Sequence, residues 1–197
     1  SEEIKRTYAL SASPGPLLVT FHPVTLEPER TEHYIHELLL ALEESEKPTV
    51  FTGTNADTAG RLITQKVKDY VATHSSASYF ENMGPRLYFS VMSIAEAMVG
   101  NSSSGLIEAA SFRLPVVNVG IRQHGRVRPE NVIDVDPTRG EIIAGIERAT
   151  SAKFRQSISG LKNPLGDGHA AERIVDVLKN VALDDRLLLK EFHDVIA

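Results

Sequence analysis

The chain has 197 residues, 42% of them hydrophobic and 24% charged, a balance that is ordinary for one globular domain. Its formal net charge of −5 argues against a large nucleic-acid or anionic-membrane surface, but it allows a local anion pocket. The absence of cysteine excludes disulfides, thiol catalysis and thiolate metal ligands. No apolar run reaches the ~20 residues of a membrane helix and no signal peptide is recognised, so we expect a cytoplasmic protein.

From Leu17 onward, short apolar runs alternate with amphipathic segments, which is the pattern of successive βα units. This pattern predicts an α/β domain with a doubly wound, mainly parallel, Rossmann-like sheet over residues 17–181. We expect residues 1–16, which start with a charged, helix-capable segment, to be a linker from another domain. Residues 182–197 are expected to form a C-terminal helix.

The predicted strands are short, apolar and followed by polar loops. In chain order they cover Leu17–Phe21, Thr49–Thr52, Ser78–Phe80, Met98–Val99, Pro115–Val119 and Asn131–Val135. The predicted helices have apolar residues at helical spacing. They cover Pro28–Glu44, a segment from an Asp57 cap to Ala72, Leu87–Ala97, Leu106–Phe112, Thr138–Thr150, Ala170–Val181 and Asp184–Val195.

Ligands of doubly wound sheets bind outside the carboxyl ends of the strands. The loops with polar or unusual residues at these ends are therefore expected to share one edge of the sheet. They contain His22, Asn55, Met83, Ser102 and Arg122.

The run Gly100-Asn101-Ser102-Ser103-Ser104-Gly105 lies between a predicted strand and a predicted helix. A helix N-terminus has unpaired N–H groups and partial positive charge, and here it is accompanied by three hydroxyls. The run therefore predicts a phosphate site. A flexible Ser/Gly loop is the alternative interpretation of these residues alone.

Two further residues have both a functional and an ordinary interpretation. His22 precedes Pro23, which favours an extended backbone and aims the imidazole out of the sheet edge. There it can donate to a diphosphate or exchange protons, or simply bond the loop. Glu108, six residues after Ser102, can accept two ribose hydroxyls beside the helix or can be a solvated helix residue.

The loop after the fifth strand contains Arg122 and Arg126, whose planar guanidinium groups suit phosphate oxygens. An ordinary surface loop is the alternative. Asn55 and Asp57 can contact a ligand or form an Asx turn with a helix cap, and we interpret Asp57 as the cap of the following helix.

Five motifs occur in the order found in one family. They are Phe21-His22-Pro23-Val24-Thr25, Asn55-Ala56-Asp57, Gly100 to Ala109, Arg122-Gln123-His124-Gly125-Arg126 and Asn163-Pro164-Leu165-Gly166-Asp167-Gly168. Together they resemble the UDP-N-acetylglucosamine 2-epimerase family over Leu17 to Val181. The Asn-Ser-Ser-Ser-Gly and Arg-Gln-x-Gly-Arg forms are similar to the hydrolysing branch, which makes N-acetylmannosamine or a related sugar for sialic or legionaminic acid synthesis.

The resemblance implies one half of a two-domain enzyme of the GT-B arrangement, with a UDP-sugar bound between the halves. The chain resembles the C-terminal, UDP-binding half. The roles carried over by the resemblance place His22 as a catalytic residue near the diphosphate, Asn55 in the cleft, and backbone near Met83 at the uracil. They place Ser102, Ser103 and Arg122 on the diphosphate, and Glu108 on the ribose.

The implied reaction needs no cofactor and no metal. A proton leaves C2 of the sugar, UDP is eliminated in the anti sense, and water adds to the resulting 2-acetamidoglucal. Because the family's acid and base carboxylates lie in the other half, we expect this chain alone to bind UDP but not to turn over. The full-length form is expected to be a homo-oligomer.

Two alternatives stay open at this point. One is the UDP-sugar-binding half of a GT-B glycosyltransferase, which has the same architecture and an acidic residue on the ribose. The other is a non-catalytic nucleotide-sugar-binding module. The Arg122-Gln123-x-Gly125-Arg126 motif favours the epimerase over both.

Overall fold

The computed structural model describes residues 15–55, 57 and 59–189, which fall into two compact units, 15–164 and 165–189. The predicted start of the linker, at residues 1–14, and the predicted helix beyond residue 189 lie outside the described residues. Of the helices that the structure describes, none combines the length and the apolar character required to span a membrane.

The first unit is built on six strands, all paired in parallel. They are β1 (Leu17–Thr20), β2 (Thr49–Thr52), β3 (Ala77–Phe80), β4 (Ala97–Gly100), β5 (Val116–Val119) and β6 (Val132–Val135). Their spatial order is β3-β2-β1-β4-β5-β6, so the direction of winding reverses between β1 and β4. This is the order of the Rossmann fold, and it confirms the predicted fold class.

Helices connect the strands and cover both faces of the sheet. In the first unit they are α1 (Thr31–Ser45), α2 (Gly60–Thr73), α3 (Gly84–Met92), α4 (Ser104–Ile107), α5 (Arg139–Thr150) and α6 (Ala152–Ser157). Short 3-10 helices cover Pro28–Arg30 and Ala109–Phe112. In the second unit they are α7 (Ala170–Asn180) and α8 (Asp185–Leu188).

The strands are buried on both faces, as expected for a parallel sheet between two helical layers. Successive side chains alternate between the two layers: Leu17 and Val19 lie in the cluster with α1, α2 and α5, and Leu18 lies in the cluster with α3. All three of these side chains are at most 1% exposed. The core therefore fixes the strand register and, with it, the positions of the loops at the carboxyl edge.

The third helix predicted from the sequence is wrong at both ends. The predicted segment was Leu87–Ala97, whereas α3 begins at Gly84 and ends at Met92. The Asn82 side chain accepts the N–H of Gly84 at 2.8 Å, and Pro85 follows at the first turn. At the other end the N–H of Glu96 donates to the Pro16 carbonyl at 3.0 Å, so this backbone already belongs to the sheet.

The helix predicted over Leu106–Phe112 is instead two short pieces, α4 and the 3-10 helix at Ala109–Phe112. Arg113, in the left-handed conformation with φ of 50°, ends this segment. The last predicted helix, Asp184–Val195, is described only as the four residues of α8. The remaining predicted elements have boundaries within about three residues of those observed.

The second unit consists mainly of α7. Its first turn is held by the Arg173 guanidinium on the Asp167 carboxylate and by His169 on Glu172. Ile174, Val177 and Leu178 lie on this helix and are 59%, 63% and 68% exposed. The helix is therefore amphipathic, with an apolar face that its own unit leaves uncovered.

Candidate functional site

The structure places the predicted site residues along one edge of the sheet. Met83 follows β3, Asn55 follows β2, His22 follows β1, Ser102 follows β4 and Arg122 follows β5. Because the strands are parallel, all of these loops leave the sheet at its carboxyl edge. The reversal between β1 and β4 places His22 and Ser102 on the two sides of the crevice where such sheets bind ligands.

Gly100 allows the ends of β1 and β4 to approach closely. Its φ of +135° is strained for other residues, and a Cβ atom there would lie 2.1 Å from the carbonyl oxygen of Thr20. On the other side of β1, the hydroxyls of Thr20 and Thr52 are 2.7 Å apart. The carboxyl ends of the three central strands are therefore tied together where the candidate site begins.

Asn101 links the loops around this junction. Its side chain is fully buried: Oδ1 accepts the N–H of His22 at 2.8 Å, and Nδ2 donates to the His22 carbonyl at 2.8 Å. Its own carbonyl accepts hydrogen bonds from Arg122 Nη1 at 3.1 Å and Gln123 Nε2 at 2.6 Å. We call His22, Asn101, Arg122 and Gln123 the His22 cluster. The sequence did not indicate the roles of Asn101 and Gln123, although both lie within the motifs that carry the family resemblance.

The imidazole of His22 is also held from the β2 side. Its Nδ1 accepts the main-chain N–H of Asn55 at 3.0 Å and lies 3.2 Å from the hydroxyl of Thr54. Burial, followed by the positive charge of Arg122, lowers the pKa of His22 from its ordinary 6.5 to about 4, against an opposing effect of Asp57. The imidazole is therefore neutral near pH 7.

Asp57 is not the cap that the sequence predicted. Helix α2 begins at Gly60, its N-terminal flanking residue is Ala59, and no side chain of the described residues caps it. The Asp57 carboxylate instead accepts a hydrogen bond from Asn55 Nδ2. Because the helix starts three residues beyond Asp57, the carboxylate stays within electrostatic reach of His22 and Arg122.

A cavity of about 370 Å³ lies on the β3 side of the crevice. Three predicted site residues, Met83, Ser102 and Glu108, line it together. We call it the Glu108 cavity. Its remaining lining residues are Thr20, Thr52, Gly53, Glu81, Asn82, Gly84, Pro85, Tyr88, Phe89 and Ser104.

Tyr88 and Phe89 in this cavity were missed, because an aromatic pair in a predicted helix cannot be told from core residues by spacing. Tyr88 is half-buried, this burial raises the pKa of its phenol, and the hydroxyls of Ser104 and Thr20 lie close to it. Phe89 is 39% exposed and its ring centroid lies 5.8 Å from that of Phe112. The cavity thus combines aromatic surface with several hydroxyls, a mixture suited to a ligand with a flat ring and polar substituents.

Glu108 is the most unusual group in the cavity. Its Oε2 atom is buried, and among the described residues it has no hydrogen-bond partner. A buried acceptor without a partner is costly unless another group donates to it. The arrangement therefore suits a ligand that presents hydroxyl donors to this carboxylate.

The run from Gly100 to Gly105, which we call the Ser run, differs in part from the predicted start of a helix. Helix α4 has only four residues, so few peptide dipoles add at its start. Ser104 N–H is 3.4 Å from the Ser102 hydroxyl, and the Ser103 carbonyl accepts the N–H groups of Leu106 and Ile107. Ser103 is half-buried and is not among the residues that line the Glu108 cavity. Arg122 places positive charge beside the run, because its guanidinium donates to the carbonyl of the neighbouring Asn101.

A second, larger cavity of about 720 Å³ opens on the other side of the β2 loop. Asn55 and Asp57 line it with Arg61 and Lys68 of α2. Among the described residues there is no group of three or more histidine or acidic side chains placed to hold a metal ion.

Comparison with known proteins gives a consistent result. The model of the family described as UDP-N-acetylglucosamine 2-epimerase matches residues 1–179. The chain is 39% identical, over 90% of its length and 46% of the relative's, to a Campylobacter jejuni GDP/UDP-N,N'-diacetylbacillosamine 2-epimerase (hydrolyzing). It is 34% identical, over 88% of its length and 45% of the relative's, to a Legionella pneumophila UDP-N,N'-diacetylbacillosamine 2-epimerase (hydrolyzing).

Among solved structures, the chain is similar to the Methanocaldococcus jannaschii UDP-GlcNAc 2-epimerase in complex with UDP-GlcNAc and UDP. The TM-score is 0.67 at 20% identity, covering 91% of this chain and 49% of that one. This likeness shows a shared fold. The chain spans about half the length of the curated relatives it matches. With the family model matching nearly all of its length, the chain belongs to the UDP-N-acetylglucosamine 2-epimerase family.

Proposed function

We propose that this chain is the nucleotide-binding half of a hydrolysing UDP-N-acetylglucosamine 2-epimerase of the GT-B arrangement, and that it holds the UDP part of a UDP-2-acetamido sugar. The observation that carries the proposal is the buried Oε2 of Glu108, which has no partner among the described residues and lies in the same cavity as Met83 and Ser102. The hydrolysing branch is supported by the names of the two curated relatives and by the Asn-Ser-Ser-Ser-Gly form of the loop after β4.

The nucleoside occupies the Glu108 cavity in this proposal. Glu108 accepts the two ribose hydroxyls, which supplies the donors that its Oε2 lacks. The backbone near Met83 faces the uracil, and the aromatic rings of Tyr88 and Phe89 provide apolar surface for the base. A cavity of about 370 Å³ is in the range of small-molecule sites and accommodates a nucleoside.

The diphosphate lies on the crevice between the Ser run and the His22 cluster. Ser102 and Ser103 donate hydroxyl or backbone hydrogen bonds to it, and Arg122 supplies the positive charge. His22 reaches the diphosphate and the reacting sugar, while Asn55 contributes to the cleft and orients the imidazole of His22 through its main-chain N–H. The two sides of the crevice thus bind different parts of one ligand.

In the proposed reaction a base removes the C2 proton, and the C1–O bond to UDP breaks with its electron pair leaving on UDP. Water then adds to the 2-acetamidoglucal and gives the free epimerised sugar. Groups that stabilise the charge developing on UDP raise the rate even though they only contact phosphate. The groups that move protons at carbon belong to the other half of the enzyme, so this chain alone binds UDP and does not turn over.

Titration calorimetry of the chain with UDP tests the site. We expect saturable binding in the millimolar range or tighter, weakened at least ~tenfold by Arg122→Ala because a charged hydrogen-bonding group is lost. Arg148→Ala is the matched control, because Arg148 is exposed on α5 and stacks on Phe154 away from the carboxyl edge. No heat of binding at millimolar UDP would contradict the proposal.

A product assay with the full-length gene product and UDP-N-acetylglucosamine tests the reaction. Release of UDP with free N-acetylmannosamine is the expected result. UDP-N-acetylmannosamine as product would instead indicate the non-hydrolysing reaction, and sugar transfer to an acceptor would indicate a glycosyltransferase. We further propose that the full-length protein is a cytoplasmic homo-oligomer, which size-exclusion chromatography with light scattering and cell fractionation would check.

A further inference from the structure

The orientation of the His22 imidazole defines where its proton resides. A main-chain N–H can only donate, and the N–H of Asn55 lies 3.0 Å from His22 Nδ1. Nδ1 must therefore offer its lone pair and carries no proton. In a neutral ring the single proton then resides on Nε2.

The backbone of His22 is held independently of its ring. Asn101 accepts the N–H of His22 and donates to its carbonyl, both at 2.8 Å. Asn101 is itself 0% exposed, so its amide cannot exchange these partners for solvent without opening the crevice. With the main chain clamped on the β4 side and Nδ1 bonded on the β2 side, the ring cannot turn over without breaking the Asn55 hydrogen bond.

The charges that face the imidazole come from two elements, Arg122 after β5 and Asp57 before α2. Burial and the Arg122 guanidinium oppose a positive charge on the ring and together outweigh the effect of Asp57 on its pKa. An imidazolium would also need to place a proton on Nδ1, against the Asn55 N–H. Among the described residues Nε2 has no hydrogen-bond partner, which leaves it available to a ligand.

We infer that His22 serves the nucleotide-sugar site as an uncharged hydrogen-bond donor through Nε2–H, and not as a cation or a proton-accepting base. This inference rests on the proposed function for its ligand, and on the Asn55 contact for the tautomer. It separates two tasks at the diphosphate: Arg122 supplies the charge, and His22 supplies one directed, neutral donor. The proton stays on Nε2 before and after UDP binds.

Nitrogen-15 NMR of the labelled 197-residue chain tests the inference directly. Long-range proton–nitrogen correlations distinguish the two neutral tautomers from the imidazolium, and His22→Gln identifies the His22 signals by their loss. At pH 7 we expect the Nε2–H pattern in the free chain and in the UDP complex, with a shift of the Nε2 signal on binding. An Nδ1–H pattern or an imidazolium in either state would overturn the inference.

The spectra recorded with UDP distinguish a failure of this inference from a failure of the proposed function. Binding of UDP without any change at His22 Nε2 would overturn the inference, whereas failure of UDP to bind at all would overturn the proposed function. The tautomer in the free chain is still decided by the same spectrum.

Two pairs of variants test the cause of the tautomer, which is the Asn55 N–H, and its consequence, which is the affinity for UDP. Asn55→Pro removes the N–H that donates to Nδ1 and is expected to mix the tautomers, whereas Asn55→Ala keeps that N–H and the Nε2–H pattern. For UDP affinity, His22→Ala is expected to cost ~tenfold, while His22→Gln, whose amide N–H can replace Nε2–H, costs ~threefold or less. Equal losses in both His22 variants would contradict the donor role.

Discussion

The His22 cluster and the Glu108 cavity lie side by side on one edge of the sheet, yet they differ in how their polar groups are satisfied. In the cluster, both polar atoms of the Asn101 side chain are bonded to His22, and its carbonyl accepts from Arg122 and Gln123. In the cavity, the buried Oε2 of Glu108 has no partner among the described residues. The Asn101 amide is therefore satisfied without a ligand, although Gln123 Oε1 in the same cluster has no partner among the described residues, and the buried oxygen of Glu108 is not satisfied.

This difference separates groups that stabilise the fold around the site from groups that are expected to contact the ligand. Removing a group with satisfied buried partners leaves those partners without hydrogen bonds, which costs folding free energy. Removing a polar group whose buried atom has no partner relieves a cost in the free protein and mainly costs ligand affinity. Variants of Asn101 and of Glu108 should therefore have opposite signatures in stability and in UDP binding, whereas His22 and Arg122 of the cluster are also expected to contact the ligand.

The largest expected effect is at the junction that both regions share. Gly100→Ala would place a Cβ 2.1 Å from the Thr20 carbonyl at a φ of +135°, so we expect a loss of at least ~3 kcal/mol in the free energy of unfolding. Urea denaturation followed by circular dichroism measures it. Gly140→Ala is the control, because no atom lies within 4 Å of its added Cβ and alanine favours the helix. Equal stability of the two variants would contradict the close approach of β1 and β4.

Asn101→Ala tests the satisfied amide of the His22 cluster. It removes both bonds to the His22 main chain and leaves a part-buried N–H and carbonyl unpaired, so we expect a loss of ~2–3 kcal/mol in the free energy of unfolding. The same urea titration measures it. Asn180→Ala, on the exposed face of α7, should change stability by less than ~0.5 kcal/mol. A neutral Asn101→Ala would mean that the cluster does not support the fold.

The protonation of His22 gives the next effect. Its folded pKa of about 4 lies below the ordinary 6.5, so the stability due to neutral His22 is complete above about pH 6.5 and is lost as the pH falls toward 4. We expect His22→Gln to remove at most ~3 kcal/mol of this pH dependence, because one pKa unit corresponds to about 1.4 kcal/mol. Urea midpoints of both proteins between pH 7 and pH 4 measure the difference. Parallel curves would contradict the buried, neutral state.

Glu108→Ala is expected to have the smallest effect on stability, and it tests the difference between the Glu108 cavity and the His22 cluster. We expect the free energy of unfolding to change by less than ~1 kcal/mol, or to rise, because the buried oxygen that is removed has no partner in the described part of the chain. UDP affinity should fall ~tenfold as two hydroxyl contacts are lost. Thermal denaturation and calorimetry measure the two quantities, with the exposed Glu147→Ala as control. A large loss of stability with unchanged UDP affinity would reverse the comparison.

Much of the fold could be read from local patterns. The alternation of short apolar runs with amphipathic segments gave the parallel sheet, and strand β2 was predicted at its observed bounds, Thr49–Thr52. Two of the errors have different causes. Helix α3 ends early because Glu96 pairs with Pro16, 80 positions away in sequence. At Asp57 two local contacts compete, since its carboxylate bonds Asn55, two positions away, rather than capping α2.

The site residues likewise divide into those that could be predicted from local sequence and those that could not. His22, Ser102, Glu108 and Arg122 could be named from motif order, because their residue types and the strand ends before them are local properties of the chain. Tyr88, Asn101 and Gln123 could not be given roles, because those roles depend on which loops meet across the crevice.

The sequence by itself determined the edge at which the chemistry lies, since apolar periodicity fixes the strands and parallel strands end on one side. Only the tertiary structure decided how each group is held there. The Asn55 N–H that places the proton of His22 on Nε2, and the burial that leaves Glu108 Oε2 without a partner among the residues the structure describes, arise from contacts between segments distant in sequence. Hydrogen bonding and desolvation depend on such contacts, and no local pattern encodes them.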